Sequence, residues 1–99
     1  MAILMKGGDI VGNQIKLDFE RVFLTEQGQE LKISRGGEVI VSELGLVEDN
    51  EIQFKAEADI RVGDTVIAEL ENTSYKVLRV TYEVNGGVRI CLNAQVVEV

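Results

Sequence analysis

Ninety-nine residues with 45% hydrophobic and 27% charged side chains suffice for one modest core, and they exclude both a second domain and intrinsic disorder. Seventeen acidic residues against ten basic ones give a net charge of −7. That balance opposes a nucleic-acid partner, because affinity for polyphosphate comes largely from Lys and Arg displacing counterions.

The chain opens on Met1-Ala2-Ile3-Leu4-Met5, its longest uninterrupted apolar run. The run is too short to span a bilayer and lacks the flanks of a secretory signal, so a soluble, intracellular protein with no membrane partner is expected. Gly7-Gly8 and Gly12 break any periodicity, and residues 1–12 read as a flexible arm ahead of a single domain over 13–99. From Asn13, an acceptable N-cap, Ile15, Phe19, Val22, Phe23 and Glu26 form one helical stripe, and Gly28 stands where a C′ glycine would end the helix. A strand is the rival reading, since Ile15, Leu17 and Phe19 alternate with polar residues. Val22-Phe23 break that alternation and favour the helix.

Strand signals follow. Leu31 and Ile33 alternate with Lys32 and Ser34, Gly36-Gly37 supplies a hairpin turn, and Val39-Ile40-Val41 returns. Gly45 marks an expected bulge or bend. Glu48-Asp49-Asn50 reads as a polar turn into a short strand carrying Ile52 and Phe54. Gly63-Asp64 turns the chain into Thr65-Val66-Ile67-Ala68, and Glu71 to Ser74 forms a polar hairpin loop. Tyr75 to Val84 is the most β-prone segment, with Leu78, Val80, Tyr82 and Val84 expected on one face. Asn85-Gly86-Gly87 turns into a last strand with Val88, Ile90, Leu92, Ala94 and Val96 together, opposite Arg89, Cys91, Asn93 and Gln95. The expected fold is mainly β: a small antiparallel barrel or strongly curved sheet of six to seven strands. One N-terminal helix would plug its end or flank through Phe19, Val22 and Phe23.

The chemical inventory is thin. The chain has no histidine and one cysteine, which removes Ser-His and Cys-His nucleophiles and the common zinc sites. Three Phe, two Tyr and no Trp leave little to line a sugar cleft for paired carboxylates. Glu48, Asp49 and Glu51 present oxygens at a turn, but the spacing lacks the glycine and distal glutamate of a calcium loop, and a solvated acidic turn is the plainer reading. Asn72-Thr73-Ser74 matches a glycosylation acceptor but reads as a hairpin loop. Cys91 reads as packing. The glycine pairs lack the lysine and hydroxyl of a phosphate loop, so no cofactor is expected. What remains is surface: an apolar arm with Ile3, Leu4 and Met5, and the acidic Glu48, Asp49 and Glu51, are candidate contacts for other proteins.

The order of elements is similar to a known family. The helix from Phe19 to Gly28, the hairpin Glu30-Leu31-Lys32-Ile33-Ser34-Arg35-Gly36-Gly37-Glu38-Val39-Ile40, the segment Asp59-Ile60-Arg61-Val62-Gly63-Asp64-Thr65-Val66 and then Tyr75-Lys76-Val77-Leu78-Arg79-Val80 resemble the small head–tail joining proteins of long-tailed bacteriophages. These are the head-completion, stopper or tail-attachment proteins, and the likeness covers residues 17–97. In that family a Gly-Asp pair opens a barrel strand and a Tyr-x-Val-x-x-Val segment forms the next. The resemblance implies no catalysis and a homo-oligomeric ring, commonly a hexamer, between the capsid portal or connector and the tail. It also implies residence in the host cytoplasm and then the virion. An acidic wall would suit a channel that must not hold passing DNA. The short Glu71 to Ser74 loop favours tail attachment over channel closure.

Two other readings compete. A small SH3-like or OB-like binding module would group exposed aromatic and basic residues on one barrel face; buried Tyr75 and Tyr82, with Arg79 and Arg89 apart, would count against its nucleic-acid form. An acidic DNA mimic would align Glu69, Glu71 and Glu83 along one edge.

Overall fold

The computed structural model describes residues 7–99, with side chains from Val11 onward; the apolar run Met1–Met5 lies outside the described residues. A helix α1 (Gly7–Asp18) continues as a π-helical segment over Phe19–Gln27. Six strands follow: β1 (Gln29–Arg35), β2 (Glu38–Glu48), β3 (Glu51–Lys55), β4 (Thr65–Ala68), β5 (Thr73–Asn85) and β6 (Val88–Glu98). They close into a barrel in the order β1-β2-β3-β6-β5-β4, every pair antiparallel. The mainly β, helix-first architecture is the one the alternation of the sequence predicts.

Alternation builds the core. Leu31 and Ile33, Ile52 and Phe54, Val66 and Ala68, Tyr75 and Val77, and Leu92, Ala94 and Val96 all point inward and are buried together. β2 contributes almost no bulk: Gly45 faces the interior, and a Cβ there would stand 2.6 Å from Leu31 Cδ1 and 3.1 Å from Phe54. Gly45 is therefore a close-approach position in a regular ladder, pairing with Gln29 and Phe54, and not the expected bulge. The β1–β2 irregularity lies instead at Ile40, where Ile33 pairs with Val41 and Ser34 with Val39.

The helix departs from expectation at both ends. Within the described residues it already runs from Gly7, so Asn13 is interior and not a cap, and Gly7–Gly12 are helical. Gly12 is a contact, not a break: a Cβ there would meet the Asn85 carbonyl oxygen at 2.3 Å, so the helix runs directly against the β5–β6 turn. At the other end Gly28 has φ −73° and donates to the Phe23 and Leu24 carbonyls at 3.0 and 3.1 Å, without the left-handed C′ geometry. Between them the i→i+5 winding rotates the predicted stripe. Phe19 and Leu24, five residues apart, are the buried pair; they seat on Ile90 and Cys91, with Leu46 and Val88 alongside. Val22 and Phe23 lie outside, Phe23 with 46% of its surface exposed. The helix thus covers a flank of the barrel with a small second cluster and does not plug the barrel core.

A bulge at Leu78 corrects the predicted β5 face. Val77 pairs with Val96 and Arg79 with Gln95, so Tyr75 and Val77 fill the core, Leu78 is turned out at 56% exposure, and Val80 returns to the core side. β4 pairs with β5 only from Thr65–Lys76 to Ala68–Thr73. The Gly63–Asp64 backbone adds one step by bonding Val77 at 2.9 Å in both directions. Among the described residues, β5 is laddered on its β6 side only from Leu78 to Asn85.

Gly63 adopts φ +92°, and a Cβ placed there would meet nothing within 4 Å, so only backbone conformation opposes a side chain. Gly63→Val is expected to lower unfolding free energy by about 1–2 kcal/mol in urea melts; an unchanged midpoint would show that the turn does not need its left-handed residue.

Candidate functional site

The acidic candidates lie together at one barrel end. Glu48 and Glu51 are the last and first residues of β2 and β3 and pair across the turn that Asp49 occupies. With Leu78, Gln95, Val96 and Val97 they line an open cleft of about 580 Å³. The Asn50 carbonyl accepts the Val96 N–H at 2.9 Å and pins the turn to β6. The cleft therefore pairs a carboxylate rim with apolar side chains, including the outturned Leu78. Among the described residues no group of three or more His, Cys, Asp or Glu side chains converges as metal ligands would. The chemistry available here is charge and apolar contact. The other candidates, Ile3, Leu4 and Met5, lie outside the described residues.

The strongest polar constellation is one that sequence patterning missed. Asp64, 2% exposed, accepts the Arg35 Nε–H at 2.9 Å and the Nη2–H of the same guanidinium at 2.8 Å, and Oδ2 also accepts the Arg61 backbone N–H at 2.9 Å. Arg35 reaches further to the Asp59 carboxylate at 3.3 Å and the Asp59 carbonyl at 3.2 Å, while Arg61 Nε donates to Asp59 at 3.0 Å. The Arg35 guanidinium holds the Asp64 carboxyl below its ordinary value, against the burial that would raise it. This network ties β1 to the 59–64 crossover. Its charged groups are turned on each other, so it reads as a structural clamp.

Cys91 sits in β6 beneath the helix, its Sγ 3.5 Å from Glu83 Oε2. Burial first, then the Glu83 carboxylate, push the thiol up to about 12. The expected packing role fits that environment.

The rival readings fare unequally by geometry. Tyr75 is buried while Tyr82 is partly exposed and carries the Arg89 guanidinium 4.0 Å above its ring. Arg79 lies at the opposite strand parity from Tyr82, so the two arginines do not share a face. Glu69 is paired with Lys32, Glu71 accepts from Gln29 at 2.8 Å, and Glu83 lies ten or more residues up β5, roughly 30 Å away along the strand. No aligned row of acids results. Compared with models of known families, with curated proteins and with solved structures, the chain matches none of the three.

Two measurements check these assignments. Asp64→Asn is expected to lose about 2 kcal/mol at neutral pH, because one acceptor of a buried charge-assisted pair is removed. Asp64's folded value is depressed from 3.8, so its contribution is complete above about pH 4 and disappears as pH falls through the folded value. Urea melts from pH 7 downward should show the gap between variant and wild type narrowing only in acid; a gap constant with pH would remove the carboxylate from the clamp. For Cys91, a disulfide reagent at about pH 8 should leave the native thiol almost untouched and titrate one equivalent after denaturation. Rapid native labelling would place the thiol outside the helix–barrel seam.

Proposed function

We propose that this chain is a non-enzymatic virion-assembly protein of a phage or prophage, joining head to tail through contacts with portal or connector and tail proteins. One observation carries the reading: apolar surface is left uncovered on several elements of a small acidic barrel. Val39, Ile40 and Val41 on β2, Val22 and Phe23 on the helix, and Leu78 and Val84 on β5 are all exposed, which is costly in a protein that functions alone. The helix–hairpin–Gly-Asp–Tyr-x-Val order, on which the resemblance rests, supports the class of partner. The surplus of carboxylates supports a place beside DNA without adhesion to it. On this reading, Glu48, Asp49 and Glu51 with the adjoining cleft form one docking surface and the apolar first residues another. The protein acts in the host cytoplasm and then in the particle.

The test is co-sedimentation of the purified protein with purified portal and tail-tube rings encoded beside its gene. Movement with one of those rings is the expected result. A protein that stays outside both rings overturns the proposal.

A further inference from the structure

Among the described residues, the long β5–β6 hairpin leaves one strand edge without a ladder. Over Leu78–Val84 β5 bonds to β6 alone, because β4 stops at the Thr65–Lys76 pair and the Gly63–Asp64 backbone serves only Val77. Such an edge presents a row of backbone donors and acceptors to any strand laid against it. Its side chains suit that: Arg79-Val80-Thr81-Tyr82-Glu83-Val84 is β-prone throughout, and it pairs with β6 without irregularity from Arg79 to Glu83. The β2 edge beyond the reach of β3 is the competing candidate. It is interrupted by the bulge at Ile40, a device that twists edges away from pairing.

We infer that the Arg79–Glu83 edge of β5, the stretch between its two irregularities, pairs antiparallel with the same edge of a second copy, about a two-fold axis at Thr81. The sequence is self-complementary in that register. Arg79 falls opposite the partner copy's residue 83, a glutamate, and Glu83 opposite its residue 79, an arginine, giving two opposite-charge pairs. Val80 falls opposite the second copy's tyrosine and Thr81 opposite its own counterpart. Opposite charges, aromatic with β-branched and Thr with Thr are the cross-strand pairs that favour a ladder. Arg79 and Glu83 lie at the same strand parity, so both ionic pairs form on one face.

Charge distribution points to the same element. Lys16, Lys32, Arg35, Lys55 and Arg61 are each engaged by a carboxylate of this chain. Among the described residues the bases outside those pairs are Arg21, Lys76, Arg79 and Arg89, and three of the four stand on the β5–β6 hairpin. A chain carrying −7 repels its copies generally, so the few cations not paired with a carboxylate mark where a copy is tolerated. An isologous contact of this kind closes on itself as a dimer. It is independent of the head–tail reading, which concerns other chains.

Sedimentation velocity up to millimolar chain concentration tests it, with thermal melts to confirm that each variant folds. Wild type is expected to reach a dimer. Arg79→Glu and Glu83→Arg each set like charges opposite one another twice and should raise the dimer dissociation constant about tenfold or more. An equimolar mixture of the two variants restores both pairs and should sediment as a heterodimer. A wild type that stays monomeric overturns the inference, as does dimerisation indifferent to either substitution. Two folded monomeric variants that fail to associate on mixing overturn the register.

Discussion

Closure of the barrel depends on a seam only three residue pairs long, Lys32–Ile67, Ile33–Val66 and Ser34–Thr65. A ladder that short is a weak constraint unless its end is held, and the Asp64 carboxylate holds it. One side chain accepts from Arg35 at the end of β1 and from the Arg61 backbone in the crossover, while the main chain at 63–64 bonds Val77 on β5. Three elements distant in sequence thus meet at one buried anion. The ion pair gains strength because the desolvated carboxylate is bonded through both its oxygens; a half-satisfied version would be a liability. The surface pairs Lys16–Glu57 and Lys32–Glu69 are more exposed and contribute far less.

Much of this is legible in residue order. Period-two alternation locates the inward residues of β1, β3 and β4 and those of β6 from Leu92 onward, whereas Ile90, expected beside Leu92, is buried with Cys91 under the helix at a register shift; the glycine pairs at 36–37 and 86–87, all with positive φ, announce both hairpins. What escapes has a common physical cause: each miss is a place where tertiary contact overrides a local period. The π-helical winding shifts the buried face from Val22 and Phe23 to Leu24, and the bulge at Leu78 flips half of β5. Neither leaves a mark in composition. Gly12 and Gly45 look like breaks in a one-dimensional reading and are points where another segment presses against the backbone. Arg35 and Asp64 stand 29 positions apart, and nothing but the folded barrel brings them together. The Gly-Asp turn is visible in the sequence; the burial of its aspartate follows only once an arginine is known to end the neighbouring strand.

The candidate contacts show the same division. The turn at Glu48, Asp49 and Glu51 is identifiable as a polar turn, and its position between two strands follows. Alternation assigns its neighbour Leu78 to the interior, so the cleft that joins acid rim to apolar floor stays hidden in the sequence. A bulge that exposes a leucine beside carboxylates creates a surface with two kinds of affinity, one apolar and short-range, one electrostatic and longer-range. Such surfaces discriminate partners better than either property alone.

The barrel is closed where strands are short and open where they are long. β4 has four residues and β3 five, whereas β5 and β6 have thirteen and eleven, so the two short strands end while their neighbours continue. On the β3 side the helix fills the gap with Phe19 and Leu24 against Ile90 and Cys91, which buries apolar surface and covers that flank. On the β4 side only the 59–64 crossover is present, and it reaches no further than Val77. Among the described residues, one hairpin therefore has a covered side and a bare side, and the bare side is the one where Arg79 and Glu83 stand symmetrically about Thr81. Bare edges commonly carry charged side chains, a proline or a bulge along their length. Between Arg79 and Glu83 there is no proline and no bulge, and the two charges present are of opposite sign and placed symmetrically about Thr81, so they oppose pairing in most registers and match in one.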